Sequence, residues 1–285
     1  MAGPHLLFDR AALRRQRTRA ALTGPDLFLH VHLALLLEER LAEVNRSFTR
    51  SALVAPFLQP FSKLMPWAAA IADDELLDLQ PEAHDLVVHA MALHWANDPV
   101  GQIVQARRAL TPDGLFLGAC LGGRTLSELR TALTEAEVRL TGGLSPRIAP
   151  MGEIRDLGAL IQRAGLALPV ADSLALTVEY RDALHLMRDL RAMGEGNALA
   201  ARRRGIAPRA LFADAARIYA DRFALPNGRI PATFEFVFLT GWAPADSQPR
   251  PLRPGSAATR LADALGVDEH PAGDPADPAG NAPKV

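Results

Sequence analysis

The first hundred residues of this sequence are almost without glycine, since none occurs between Gly24 and Gly101. Glycine is the residue that lets a backbone turn tightly and approach a bound nucleotide closely. This part of the chain therefore cannot form the glycine-rich loop with which many α/β proteins hold a nucleotide.

Cysteine and net charge are also scarce. Cys120 is the only cysteine, which excludes disulfides within the chain and thiolate metal clusters and favours a reducing compartment. The formal net charge of -1 provides no positive field for nucleic acid, so no nucleic-acid partner is expected. No apolar run reaches the roughly 18 residues of a membrane span. These absences predict a cytoplasmic protein without a transmembrane segment.

The charge balance fails locally near the start of the chain. Five arginines are opposed there only by Asp9: Arg10, Arg14, Arg15, Arg17 and Arg19. This pattern of basic residues is typical of an ordinary surface helix. The alternatives are peripheral membrane contact, or targeting to the mitochondrial matrix if the source is eukaryotic.

Apolar periodicity predicts the regular elements. Helical spacing is found over 27–44, from Asp98 to a turn at 112–114, and over 126–140, 154–164, 182–193 and 208–223. Strand patterns are found over 51–58, 85–91, 115–121, 173–180 and 233–240, the last two half-exposed and antiparallel at a sheet edge. The strand, helix and strand of 85–121 form a βαβ unit, so the sheet is at least partly parallel.

The stretch DLVVHAMALHWANDPVGQIVQARRALTPDGLFLGACLGG at 85–123 resembles the fourth strand, crossover helix and fifth strand of class I S-adenosylmethionine-dependent methyltransferases. Further matching stretches are FDRAALRRQRTRAA at 8–21, GGRTLSELRTALTEAEV at 122–138, GGLSPRIAPMGEIRDLGALIQRAG at 142–165, LMRDLRAMGEGNAL at 186–199, ATFEFVFLTGWAP at 232–244 and PLRPGSAATRLADAL at 251–265. Within that family the chain is similar to the arginine-hydroxylating assembly factors of respiratory complex I and their bacterial relatives, which are related to the malonyl-carrier-protein methyltransferases.

The resemblance implies a Rossmann-like sheet, mostly parallel with antiparallel edge strands, that is truncated in its first half. Where the family has a glycine-rich turn, this chain reads APFLQPFSKLMPW at 55–67. Only about twenty residues separate Ala52 from Asp73, whereas one βαβ unit alone takes about thirty. One helix and one strand are therefore expected to be lost or reduced to loops.

The resemblance also implies an organisation of the chain. The expected parts are N-terminal helices at 1–45, an α/β core at 46–180 and 230–245, a helical subdomain over the pocket at 181–229 and a C-terminal extension at 246–267. Composition, which is mostly Pro, Gly, Ala, Asp and Asn, predicts a disordered tail at 268–285.

The residues that match the S-adenosylmethionine site of the family lie only at the rim of that site. Asp73 and Asp74 align with the acid that reaches the adenine amino group in the family, and His89, His94 and Trp95 align with residues at the methionine end. Without the glycine loop, weak or absent cofactor binding is expected. In an equally weighted interpretation, residues 73–75 form a solvated helix N-terminus.

Substrate-binding candidates lie later in the chain. Ser145 and Arg147 follow a glycine pair, and an arginine there can hold a carboxylate with two hydrogen bonds, although a structural turn is favoured. The resemblance places Arg191, Glu195 and Asn197 at the substrate mouth, but they also suit a helix C-cap with paired charges.

The histidines do not predict a metal site. His30 and His32 are two residues apart on a predicted helix and point to nearly opposite sides, so they cannot chelate one ion together. His84, His89 and His94 also lack the spacing of metal ligands, and no metal is expected.

Two functions remain open. The first is an S-adenosylmethionine-dependent enzyme that modifies a protein or a small acid. The second is a catalytically inactive, cofactor-free binding or assembly protein on the same fold, with a respiratory-complex subunit as partner. The residues favour the second, because the glycine-rich motif is missing.

Overall fold

The computed structural model describes residues 6–249 together with residues 263 and 266. Of the described residues, 6–246 belong to one compact unit, and 247–249, 263 and 266 belong to a second. The predicted extension at 246–267 and the tail at 268–285 lie outside the described residues, except for 246–249, 263 and 266.

The elements of the first unit agree closely with the apolar periodicity. Its helices are α1 (Arg10–Thr23), α2 (Phe28–Glu43), α3 (Pro99–Ala109), α4 (Ser127–Thr141), α5 (Ile154–Arg163), α6 (Ala183–Ala192) and α7 (Arg209–Phe223), with a short 3-10 turn at Leu93–Trp95. Its strands are β1 (Ser51–Val54), β2 (Ala69–Ile71), β3 (His84–Ala90), β4 (Leu110–Leu121), β5 (Ala167–Tyr180) and β6 (Ile230–Trp242).

The six strands form one mixed sheet in the order β2-β1-β3-β4-β6-β5. The first four are parallel to one another, and β6 runs antiparallel to both β4 and β5. The parallel pairing of β3 with β4 through α3 confirms the predicted βαβ unit. The predicted class of sheet, mostly parallel with antiparallel strands at one side, is confirmed.

The first half of the sheet is short. β1 ends at Val54, before Pro56, whose ring cannot continue a strand in the middle of a sheet. β2 has only three residues and pairs directly with β1, and residues 55–68 between these two strands form turns without a helix. The expected loss of a helix and a strand is therefore confirmed.

Two details of the predicted strands are wrong. The turn at 112–114 does not separate α3 from the next strand, because β4 begins at Leu110 and absorbs the extra residues in a register shift opposite His84 and Leu86. The segment 233–240 is not a half-exposed edge: β6 is flanked by β4 and β5, and almost all of this segment is buried.

The sheet separates two apolar layers. Helices α2, α4, α6 and α7 pack on one face, around buried residues that include Leu29, Leu133 and Phe236. Helices α3 and α5 cover the other face, around Ile103 and Ile161. The layer on the first face positions the site described below.

Among the described residues, no single helix is long and apolar enough to cross a membrane. Helices α1 and α2 meet those criteria of length and composition only when they are taken together, and the chain bends by 97° between them.

The N-terminus of α3 offers a simple test of local stability. The Asp98 side chain accepts a hydrogen bond from the Gly101 amide at 2.8 Å, which satisfies one of the free amides of the first turn. Replacement by alanine (Asp98→Ala) is expected to lower the free energy of unfolding by about 1 kcal/mol, as measured by urea denaturation. Asp98→Asn keeps an acceptor and should lose less; an equal loss in both variants would contradict this assignment.

Candidate functional site

The carboxyl ends of the parallel strands meet at one edge of the sheet, where α/β folds place ligands. Ala55 and Pro56 follow β1, Asp73 follows β2, and the turn with His94 and Trp95 follows β3. An open surface depression at the ends of β1 and β2 is lined by Arg14, Arg17, Ala55, Pro56, Leu58, Ala70, Ile71, Ala72, Asp73 and Asp74.

Asp73 is the most enclosed carboxylate at this edge, with its side chain only 2% exposed. Arg10 donates to its Oδ1 at 3.0 Å, and Arg17 donates to its Oδ2. Burial alone would raise the pKa of Asp73, but the charges of Arg17 and Arg10 outweigh burial and hold the pKa below its usual value. Both carboxylate oxygens are therefore occupied by helix α1.

The prediction that residues 73–75 form a helix N-terminus is wrong. These residues follow β2 as a bend without helical structure. The carbonyl oxygen of Asp74 accepts from the Gln102 side chain at 2.9 Å, and its carboxylate pairs with Arg14 at the surface. Hydrogen bonds to α3 and α1 thus hold the segment in a non-helical conformation.

The sequence indicates Arg10 and Arg17 only as part of a basic surface helix. Their side chains are 9% and 10% exposed. The usable signal is spacing: seven residues are about two helical turns, so both arginines lie on the face of α1 that also carries the buried Leu13 and Ala20.

His89 is buried in β3 and faces α3. Its Nε2 lies 2.9 Å from Oε1 of Gln102, and burial lowers the pKa of its ring. His89 does not line the cavity described next, whereas Trp95, six residues later, does. The structure therefore separates His89 from Trp95.

A second carboxylate, Glu195, joins the turn after β3 to the end of α6. Its Oε2 accepts from the Trp95 indole at 2.6 Å and lies 3.2 Å from His94 Nε2. The Leu121 amide nitrogen lies 3.5 Å from His94 Nδ1. Burial alone would raise the pKa of Glu195, but the hydrogen bond and the electrostatic attraction of His94, together with the charge of Arg17, outweigh burial and lower it.

Glu195 lies at the wall of a largely apolar cavity of about 240 Å³. Of the predicted site residues, Trp95, Arg147, Arg191, Glu195 and Asn197 line this cavity. Asp73, Asp74, His89, His94 and Ser145 are not in its lining, although His94 supports Glu195 from behind.

Arg147 is engaged by the protein itself. Its Nε and Nη2 donate to the two carboxylate oxygens of Glu137 at 2.9 and 2.7 Å, and the Ser145 hydroxyl donates to the same carboxylate at 2.6 Å. The glycine-rich turn before it is thereby tied to α4, and this contact fits the structural interpretation of the loop.

The two histidines of α2 point to different neighbours. The His30 ring packs edge-on against Phe57, and the His32 ring contacts Phe236. Burial lowers the pKa of His30 to about 4, so it is neutral at pH 7. Within the described part of the chain, no group of three or more potential metal ligands comes together.

The mixed sheet, with one antiparallel strand inserted beside the last parallel one and a site at the carboxyl ends of the strands, defines a Rossmann-like fold of the class I methyltransferase type. No family model matches the chain.

Comparison with curated proteins identifies relatives. The chain is 39% identical over 199 residues to arginine-hydroxylase NDUFAF5, mitochondrial, of Danio rerio, covering 70% of this chain and 62% of that protein. Its identity to the Homo sapiens protein of the same name is 39% over 193 residues, with coverages of 68% and 56%. Its identity to malonyl-[acyl-carrier protein] O-methyltransferase of Laribacter hongkongensis is 35% over 188 residues, with coverages of 66% and 61%.

Among solved structures, a methyltransferase candidate from Bacillus halodurans superposes with a TM-score of 0.48 at 12% identity, covering 74% of this chain and 99% of that one. The chain is therefore similar in sequence to these curated proteins, and its sheet is of the class I methyltransferase type. The matched part of the chain spans between 45% and 62% of the length of such curated relatives.

Proposed function

We propose that this chain is a binding or assembly factor of the methyltransferase fold that serves a respiratory complex and does not bind S-adenosylmethionine tightly. The relatives named as NDUFAF5 support the respiratory role. The main support for weak cofactor binding is the pairing of Asp73 with Arg10 and Arg17. These ion pairs occupy the carboxylate that matches the adenine-binding acid of the family.

The residues after β1 do not fit the cofactor either. The family places side-chain-free backbone there, whereas this chain places Ala55, Pro56 and Phe57, and the Phe57 ring packs against buried His30. A nucleoside bound at this edge would have to compete with a proline ring and with the ion pairs of α1.

Calorimetric titration of the full chain with S-adenosylmethionine tests the cofactor part. We expect no dissociation constant tighter than about 1 mM, since little binding energy is left at the adenine side. S-adenosylhomocysteine serves as the matched ligand, because it keeps the nucleoside and lacks the methyl group. A micromolar dissociation constant for either ligand would overturn the cofactor-free proposal.

The respiratory part is tested separately, by deleting the gene in its host and restoring it from a plasmid. We expect less assembled complex I on native gels in the deletion strain, and recovery with the intact gene. An unchanged amount of complex I would contradict this role. In a eukaryotic host the proposed location is the mitochondrial matrix, and the names of the relatives, which describe them as mitochondrial, support a mitochondrial location.

The second candidate is S-adenosylmethionine-dependent modification of a protein or small acid. The cavity beside Trp95 and Glu195 favours it, because Trp95 and Leu121 of its lining lie at the carboxyl ends of β3 and β4, where the family carries out its chemistry. If the titration gave micromolar affinity, loss of that affinity in an Asp73→Ala variant that circular dichroism shows to be folded would support an adenine site at Asp73. Retained affinity in that variant would exclude Asp73 from the binding site.

A further inference from the structure

Strand β5 lies at one edge of the sheet. It pairs with β6 on one side, and no other described strand pairs with it. From Val170 to Tyr180 its register with β6 is unbroken, so the backbone amides and carbonyls on its other side form a continuous row along the edge. A row of this kind is a template for pairing with a further strand.

The edge has few of the features that usually block such pairing. Pro169, which has no amide hydrogen, and the register shift beside it protect only the first residues of β5. The rest, VADSLALTVEY at 170–180, contains no proline, glycine or lysine. Of its two carboxylates, Asp172 is already paired with Arg40 of α2. The edge is therefore open to a partner strand.

A second copy of β5 is complementary to this edge. Val170 and Leu174 share one face of the strand and are 57% and 40% exposed. Antiparallel pairing about a two-fold axis at Leu174 brings the two Leu174 side chains together. The same register brings Val170 opposite Val178 of the partner subunit, and apolar pairs of this kind stabilise a sheet. An axis at Asp172 would instead bring two carboxylates opposite each other.

The charges beside the edge also fit a second copy. Arg155 of α5 lines a surface depression together with Pro169, and it makes no ion pair among the described residues. With the axis at Leu174, Glu179 of the partner subunit lies opposite Pro169, on the face of the sheet that α5 covers. Glu179 also pairs with Arg229 of its own chain at 3.5 Å, and both side chains are about half exposed. Arg155 therefore favours this register and adds little affinity.

We propose that β5 forms the interface of a homodimer, in which two copies of β5 pair antiparallel about a two-fold axis at Leu174 and join their six-stranded sheets into one. A strand of another protein would use the same backbone groups, but the apolar pairs and the position of Glu179 beside Arg155 come from β5 itself. This inference goes beyond the proposed respiratory function and does not depend on the cofactor.

Sedimentation velocity of the full chain tests the interface. We expect a dimer at a chain concentration of about 100 μM. Leu174→Lys and Leu174→Glu each place two like charges opposite each other at the axis, and each should weaken self-association at least about tenfold. An equimolar mixture of the two variants should dimerise again, because lysine then lies opposite glutamate. Circular dichroism checks that both variants are folded.

Leu58→Lys is the matched control. Leu58 is 38% exposed, close to the value for Leu174, and it follows β1, which β3, β4 and β6 separate from β5. This variant should dimerise like the original chain. A monomeric original chain would overturn the proposal in favour of a strand from another protein. A dimer that both Leu174 variants leave intact, or folded variants that stay monomeric when mixed, would also overturn it. The titration with S-adenosylmethionine and the amount of complex I do not bear on these outcomes.

Discussion

Replacement of Asp73 by asparagine (Asp73→Asn) is expected to lower the free energy of unfolding by about 3–5 kcal/mol. The substitution removes the negative charge between Arg10 and Arg17 while both guanidinium groups stay buried. The loss affects Arg17 most, because its Nε and Nη2 already lack hydrogen-bond partners among the described residues. Urea denaturation at pH 7, followed by circular dichroism, measures the change.

The neighbouring carboxylate is the matched control. Asp74 pairs with Arg14 at 3.0 Å, but the two side chains are 48% and 64% exposed. Because water screens such a pair, Asp74→Asn should cost less than about 1 kcal/mol. Equal and small losses in the two variants would mean that α1 is not docked through Asp73, and would remove the main support for the cofactor-free proposal.

The fold could be predicted well where the signals are local. The aspartate and proline at 98–99 mark the start of α3, and continuous apolar runs mark β3 and β4, because burial on both faces leaves no polar position in a strand. The position of β6 could not be read in this way. Its polar residue Glu235 suggests an exposed face, yet Glu235 is 7% exposed and accepts from the Arg124 amide, more than a hundred residues away.

The candidate site could also be predicted only in part, because local motifs indicate single residues but not their contacts. The matching stretch at 85–123 indicates Trp95, and the one at 186–199 indicates Glu195, but only the tertiary structure shows that these two side chains are hydrogen-bonded. Arg10 and Arg17 were missed because arginine is usually a surface residue. Their burial depends on ion pairs with the distant Asp73, and the sequence alone does not show that these residues come together.

Glu137 is the second position where a large effect is expected. Its side chain is 3% exposed, and the hydrogen bonds from Arg147, together with those from Ser145, lower the pKa of Glu137 from 4.5 to about 2. A carboxylate whose pKa is lower in the folded state stabilises the protein above pH 4.5, and this stabilisation is lost as the pH falls towards 2. The difference corresponds to about 3 kcal/mol at pH 7, and partial solvent access to Arg147 reduces the expected effect to about 2 kcal/mol.

Glu137→Gln is therefore expected to unfold about 2 kcal/mol more easily than the original chain at pH 7, with the difference shrinking as the pH approaches 2. Glu135→Gln is the matched control on the same helix. Glu135 pairs with Arg139 and Arg222, which are both more than half exposed, so its replacement should cost less than about 1 kcal/mol. Urea denaturation of both variants between pH 7 and pH 3 distinguishes charge from packing. A loss in Glu137→Gln that stays constant over this range would show that Glu137 acts through its shape, and that the loop carrying Arg147 to the cavity is not held by its charge.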